Sequence, residues 1–332
     1  MAMTFGVHIG HMGGPLDEMR KLWKFADATG FDWFSVSDHF QESPPRGGDM
    51  DCYEAIATLT AAAVDTRRVR LGALVYCVAY RNPGLHAKSL TTIDHLSQGR
   101  VDCGLGAGWH EVEARAFGYE FPRIGVREDM LEEYAQCMRL LLDPESRRAS
   151  FQGKHFRLEN APNYPKPLQP RMPIWIGGRG EKRTLRAAAK YADGWNAPYI
   201  GPDEWIHKSD VLTDWCAKEG RDPGSILRTV NLGFYLGADA PGRRPRRADL
   251  PRALGAGRRR ALGLAARHAE GHARDAGALS RRRLPPREHR APRGPVRLGR
   301  PARVRRAGVP RLRHQTSRIE TRRRASDVVR DE

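Results

Sequence analysis

The last 92 residues of this 332-residue chain contain no Phe, Tyr, Trp, Met, Cys, Lys or Asn, and a single Ile, Ile319. Every aromatic residue lies in residues 1–240. A segment this poor in large apolar side chains cannot bury enough surface to form a core. What it does have is arginine. Residues 241–332 hold 28 Arg against 8 acidic residues, a net +20, so the chain's +18 leaves −2 for residues 1–240. The sequence pI of about 10.2 is therefore a property of the tail and not of the rest.

A basic arm that binds nucleic acid would ordinarily mix Lys with Arg and add aromatics for base stacking. The tail has neither, and its Leu, Ala, Pro and Gly show no helical stripe. Nucleic acid is accordingly not the expected partner. Residues 241–332 read instead as an out-of-frame translation of GC-rich DNA, disordered or poorly packed. Codon degeneracy permits the test on paper. A one-nucleotide shift over Arg287–Pro292 allows Val-Asn-Ile-Ala-Leu-Arg, a buried strand, and the same shift from Val296 to Gln315 allows an amphipathic helix. The hypothesis requires a single-base slip near codons 235–245, and coding DNA without one would end it.

There is also no apolar run of membrane-spanning length and no charged-then-apolar leader, which predicts a soluble cytoplasmic protein without a membrane partner. The five cysteines, Cys52, Cys77, Cys103, Cys137 and Cys216, are odd in number and form no CxxC pair. Free thiols in a reducing compartment are expected, and no metal site is predicted.

Residues 1–240 alternate between strand and helix signals. Strands are predicted at 5–10, 33–38, 69–76, 101–106, 174–178, 194–198 and 226–236. Helices are predicted at 16–29, 53–65, 85–96, 128–142, 181–191 and 205–218. In the first helix Leu16, Met19, Leu22, Trp23, Phe25 and Ala26 are expected to share an apolar face, and Gly30 supplies the stop. Repeated βα units imply a parallel sheet, and seven strands in about 240 residues suit an α/β fold of the (β/α)8 barrel type. The eighth strand and last helix are missing from the pattern. Between Pro144 and Met172 lies a Pro-rich insertion, a length usually associated with lids or disordered loops.

A barrel carries its site at the C-terminal ends of its strands. Ser37-Asp38-His39-Phe40-Gln41 closes the second strand, where His39 can move a proton near neutral pH. A lone Asp-His pair is more often a cap beside a surface histidine; its place at a strand end favours function. Gly104-Leu-Gly106-Ala107-Gly108-Trp109 closes the fourth strand, a weak signal because tight turns use glycine anyway. Gly177-Gly178-Arg179-Gly180 lies between a strand and a helix, with Thr184 a few residues on. That order suits a phosphate, and three glycines in four residues favour it over a plain turn.

Together these segments resemble one family. Phe5-Gly-Val-His, Ala28-Thr-Gly-Phe-Asp-Trp, Ser37-Asp-His-Phe, Arg70-Leu-Gly, Tyr80-Arg-Asn-Pro, Leu96-Ser-Gln-Gly-Arg-Val, Gly104-Leu-Gly-Ala-Gly-Trp, Phe117-Gly, Pro173-Ile-Trp-Ile-Gly-Gly-Arg-Gly and Tyr191-Ala-Asp-Gly-Trp-Asn occur in order. They look like the luciferase-like monooxygenase superfamily, most of all its coenzyme F420-dependent oxidoreductases, over about residues 3–237. The resemblance implies a barrel whose mouth holds a deazaflavin or flavin. Asp38 and His39 match the motif at the cofactor ring, as the catalytic pair. Leu74 and Val75 match the strand end, often with a non-proline cis peptide, that backs the ring. Gly106, Ala107, Gly108 and Trp109 match the ring-side turn, and Gly177, Gly178, Arg179, Gly180 and Thr184 the phosphate loop. Trp109 stands where sugar-phosphate dehydrogenases of the family have an acid, and Glu111 and Glu113 lie near that acid but out of register.

The expected activity is hydride transfer between F420 and a small organic substrate. An FMN-dependent monooxygenase is the alternative within the family. Outside it, the alternatives are an inactive frameshifted product or an anion-binding basic tail. A homodimer is compatible with this reading.

Overall fold

The computed structural model describes residues 3–10, 14–43 and 48–233. The expectations for residues 241–332, including a gap where an eighth strand belongs, lie outside these.

The described chain runs β1 (Gly6–Ile9), α1 (Leu16–Thr29), β2 (Trp33–Val36), α2 (Ala55–Asp65), β3 (Arg70–Ala73), β4 (Tyr76–Cys77), α3 (Pro83–Ser97), β5 (Val101–Gly106), α4 (Glu111–Ala116), α5 (Ile124–Leu142), β6 (Ala149–Gln152), β7 (Arg157–Ala161), β8 (Ile174–Gly177), α6 (Thr184–Tyr191), β9 (Gly194–Pro198), α7 (Pro202–Lys218) and β10 (Leu227–Asn231). The main sheet has the order β1-β2-β3-β5-β8-β9-β10, with β4 pairing β5, and every pairing in it is parallel. This is the predicted barrel, with its seven strands where the sequence placed them. Among the described residues β1 and β10 each have one strand neighbour.

The local causes are conventional. Helix α1 buries Met19, Trp23 and Ala26, spaced to make one stripe, and ends at Gly30 with φ 84°. Pro83 opens α3, and the Asn82 side chain accepts from the Gly84 amide. All six residues of β5 are buried, as a strand covered on both faces requires. Trp23, Trp195, Tyr76, Tyr134 and Phe34 are the largest enclosed side chains of the core. Each such burial contributes roughly 1.5–3 kcal/mol before entropy is counted.

One expectation is corrected. Part of the insertion 144–172 is regular: residues 149–161 fold into the antiparallel hairpin β6–β7, and residues 162–173 follow without helix or strand. The Glu133 carboxylate accepts from the amides of Lys154, His155 and Phe156 at 2.8, 2.8 and 3.0 Å, fixing the hairpin turn to α5. Asp94 on α3 accepts from the Leu168 amide at 2.6 Å and from the Gln169 side chain at 2.7 Å. Two buried or half-buried carboxylates, one per helix, thus order the Pro-rich stretch. The short helix α4, which no periodicity announced, follows the β5 turn and shapes the mouth.

Candidate functional site

The C-terminal ends of β2, β3, β5 and β8 are consecutive in the sheet, so the segments that follow them meet. His39 follows β2. Its Nδ1 lies 2.9 Å from Glu113 Oε2, and Nε2 has no hydrogen-bond partner among the described residues. Glu113 is wholly enclosed. It also accepts from the Phe40 amide at 2.6 Å, the Gln41 amide at 3.1 Å and the Tyr80 hydroxyl at 2.7 Å. Burial pushes its carboxyl up, but His39, Tyr80 and the Phe40 amide outweigh burial and hold it below the usual range. Burial and the bond to Glu113 raise Tyr80, which keeps its proton and donates it. With Glu113 charged, Nδ1 carries the hydrogen of the neutral ring and Nε2 is the basic nitrogen.

Asp38 does not share this role. Its two oxygens accept from Arg81 at 2.6 and 2.7 Å and from the Cys77 amide at 2.9 Å, and the residue is 2% exposed. Asp38, expected as half of a catalytic pair, has both oxygens engaged within the protein. A carboxylate closed by a forked guanidinium pins β2 to β4 and aims the segment that carries His39.

The peptide between Leu74 and Val75 is cis, at the position where the resemblance implies it. Val75 explains two of the predicted glycines. A Cβ at Gly106 would lie 2.4 Å from Val75 Cγ2, and one at Gly177 would lie 2.8 Å from Val75 Cγ1. These glycines therefore admit the Val75 side chain between β5 and β8, and the floor of the mouth is valine. Gly108 has φ 77° and faces Cys77 Sγ. The Ala107 carbonyl accepts from Arg127 Nε at 3.2 Å. Arg127 also donates to the Pro122 carbonyl at 2.6 Å and lies over the Phe121 ring, so one guanidinium ties the Gly106–Trp109 turn to the start of α5. Trp109 is 58% exposed, edge-on to His39 with ring centroids 5.4 Å apart, and stacked on His110. Phe40, Tyr80, Phe117 and Tyr119 continue the aromatic wall.

The phosphate-loop residues come together in the turn from β8 to α6, with one correction. Gly178 has φ 136°, its amide donates to the Asn196 carbonyl at 3.0 Å, and its carbonyl accepts from Trp195 Nε1 at 2.9 Å. Its backbone is spent inside the protein, so Gly178 shapes the turn and offers no amide to a ligand. The amides from Arg179 to Thr184 enter no backbone hydrogen bond among the described residues. Gly180 and Thr184 are in contact, and Arg179 is half-exposed beside Glu204 at 3.6 Å. The Thr184 hydroxyl donates to Glu128 Oε1 at 2.7 Å.

Sequence reasoning placed Glu113 only as out of register with the family's acid, carried Tyr80 and Arg81 only within a motif, and missed Arg127 and Glu128. Glu113 stands 74 positions from the histidine it holds. The local signal for its role is its place three residues after His110, the cap of α4, where a helix starts after a glycine turn.

Among the described residues no helix is long and apolar enough to cross a membrane, and no cluster of His, Cys, Asp and Glu is suited to a metal ion.

The family model described as luciferase-like monooxygenase matches residues 1–244. An F420-dependent glucose-6-phosphate dehydrogenase of Intrasporangium calvum is 34% identical over 237 residues, covering 65% of this chain and 69% of that one. An uncharacterised protein of Mycobacterium tuberculosis is 33% identical over 215 residues, covering 60% of this chain and 73% of its own length. Among solved structures, an F420-dependent secondary alcohol dehydrogenase in complex with an F420-acetone adduct superimposes with a TM-score of 0.64 at 25% identity, covering 70% of this chain and 69% of that one.

Proposed function

The chain belongs to the luciferase-like monooxygenase family, and we propose that it is an oxidoreductase that moves a hydride between coenzyme F420 and a small uncharged alcohol or ketone. The observation that carries this reading is the His39–Glu113 pair at the barrel mouth, with Nδ1 held and Nε2 open. Relatives named for F420, at 34% identity, favour F420 over FMN.

The residues present suit a flat ring with a phosphate. Val75 and the Gly106–Trp109 turn would hold the ring. Arg179, Gly180 and Thr184, with their unpaired amides, would hold the phosphate. When bound, such a cofactor supplies the hydride acceptor or donor. This chain's own residues do the rest. His39 Nε2 takes the hydroxyl proton of an alcohol undergoing oxidation, or returns it to a ketone oxygen. Glu113 fixes the tautomer and stabilises the imidazolium that forms. Trp109 and the aromatics beside it exclude water.

The substrate class follows from charge. Arg81 is bound to Asp38 and Glu54, Arg115 to Glu111, and Arg127 to carbonyls. These cations are not free for a phosphorylated or carboxylated substrate, whereas Trp109 offers an apolar face.

Titration of the full-length protein with F420 and with FMN, followed by cofactor absorbance and fluorescence, tests the reading. Saturable binding with F420 favoured is the expected result. No saturable binding of either would overturn it.

A further inference from the structure

Glu128 is a buried acid for which the chemistry above has no use. It lies on α5, is 8% exposed, and directs its carboxyl at the β8–α6 turn. Oε1 accepts the Thr184 hydroxyl at 2.7 Å and lies 3.7 Å from where a Cβ on Gly180 would be. Oε2 is fully enclosed and has no hydrogen-bond partner. The charged groups packed around it are otherwise engaged. Arg183 binds the Gly125 carbonyl and Asp129, Arg127 binds the Ala107 and Pro122 carbonyls, and Glu132, one turn further along α5, is a like charge.

An ionised carboxylate with one oxygen sealed from water and from every donor is costly. It would also repel an anion seated on the turn beside it. A carboxylic acid removes both difficulties. It keeps the Thr184 bond at Oε1 and presents no charge to a phosphate. Burial acts in the same direction, raising Glu128 above the usual carboxylate range against the Thr184 bond and the charge of Arg183.

We propose that the β8–α6 turn takes the cofactor phosphate only while Glu128 is a neutral acid, so that ionisation of Glu128 weakens cofactor binding. The inference rests on the cofactor reading of the mouth. It adds a proton-linked control of affinity that the glycine turn alone would not have. The linkage has one sign: the proton is bound in the complex, so affinity is greatest at low pH and falls as pH rises through the titration of Glu128 in the free protein.

The test is fluorescence titration of the full-length protein with coenzyme F420 across pH 5–9, beside Glu128→Gln. Glutamine keeps an acceptor for Thr184 and cannot ionise. Ionisations of the cofactor itself are common to both proteins and cancel in the ratio. The wild-type Kd divided by that of Glu128→Gln should climb with pH, approaching about tenfold per unit above the titration point. The same ratio for the phosphate-free deazaflavin core should stay flat. A flat ratio with F420 overturns the proposal and leaves the cofactor site standing, whereas no saturable binding at any pH overturns the cofactor reading itself. Should the variant fail to fold, 13C NMR of the Glu128 carboxyl in the wild type decides the matter: its titration must move to higher pH when F420 is added, and an unmoved titration contradicts the proposal.

Discussion

The two ends of this barrel are built from the same strands and treat their polar groups in opposite ways. At the N-terminal ends of β2, β3, β5 and β8 stand Trp33, Arg70, Asp102 and Trp175. Asp102 is 4% exposed and accepts from Arg70 and from Trp33 Nε1 at 2.7 Å. Arg70 reaches on to the Gln169 side chain at 2.8 Å. Trp33 and Trp175, from non-adjacent strands, meet edge-to-face at 5.8 Å and close the interior. Gly194 has no side chain because the Trp175 ring occupies its place. At the other end, Glu113 and Asp38 are as thoroughly bonded, yet the ring that Glu113 holds keeps His39 Nε2 open, and the amides of the β8–α6 turn from Arg179 to Thr184 enter no backbone hydrogen bond among the described residues. Satisfied charge at one end serves stability. At the other it serves to aim groups that have spare valence.

The difference predicts separable effects. Arg70→Met leaves Asp102 buried and uncompensated, and should destabilise the fold by roughly 3 kcal/mol while cofactor affinity stays within about twofold. Urea unfolding and a cofactor titration read the two quantities, and a large loss of affinity would erase the distinction between the ends. Glu113→Gln should lower turnover between about 10- and 100-fold. In 15N spectra the wild-type His39 ring should carry its hydrogen on Nδ1, with both tautomers populated in the variant. A wild-type ring protonated at Nε2 would remove Glu113 from the account. Gly178→Val meets Thr184 Cγ2, 2.9 Å from the new Cβ, at a φ of 136° that side chains rarely adopt. It should cost about 1–3 kcal/mol and weaken F420 together, since the turn is folded by that residue and not lined by it. Loss of binding with no loss of stability would return Gly178 to the ligand. The smallest effect belongs to a third place. Asp65 accepts from Arg20 and Trp23, and Arg20 foremost holds it down to about 2. A depressed carboxyl contributes stability above its unfolded value and loses it as pH falls. The wild type should therefore soften between about pH 4 and 2. Asp65→Asn should lack that step.

The architecture was legible because its signals are local. Strand length, glycine stops such as Gly30 and the Asn82-Pro83 cap each announce themselves within a few residues. His39, Trp109 and the Gly177–Thr184 turn were legible for the same reason, standing at strand ends within recognisable motifs. What the sequence hid depends on contacts across the fold. Glu113 and His39 are 74 residues apart, and Arg81 and Asp38 are 43 apart. The meaning of a glycine was also hidden. Gly106 and Gly177 read as room for a ligand, and a Cβ at either would also meet the Val75 side chain. The hairpin within 144–172 was obscured because its turn is fixed by Glu133 on another helix, and the Pro-rich stretch after it by Asp94 on a second. The out-of-frame reading of residues 241–332 is a statement about DNA, and a coding sequence without a single-base slip near codons 235–245 would contradict it.

The central claim is that the mouth binds the cofactor and that His39 moves the proton accompanying the hydride. Stopped-flow measurement separates these. Full-length protein with F420 already bound is mixed with 2-propanol, and cofactor absorbance is followed for the wild type and for His39→Ala. F420 affinity should be unchanged within about twofold in the variant, and hydride transfer slowed by roughly 100-fold or more. Equal rates in the two proteins would contradict it.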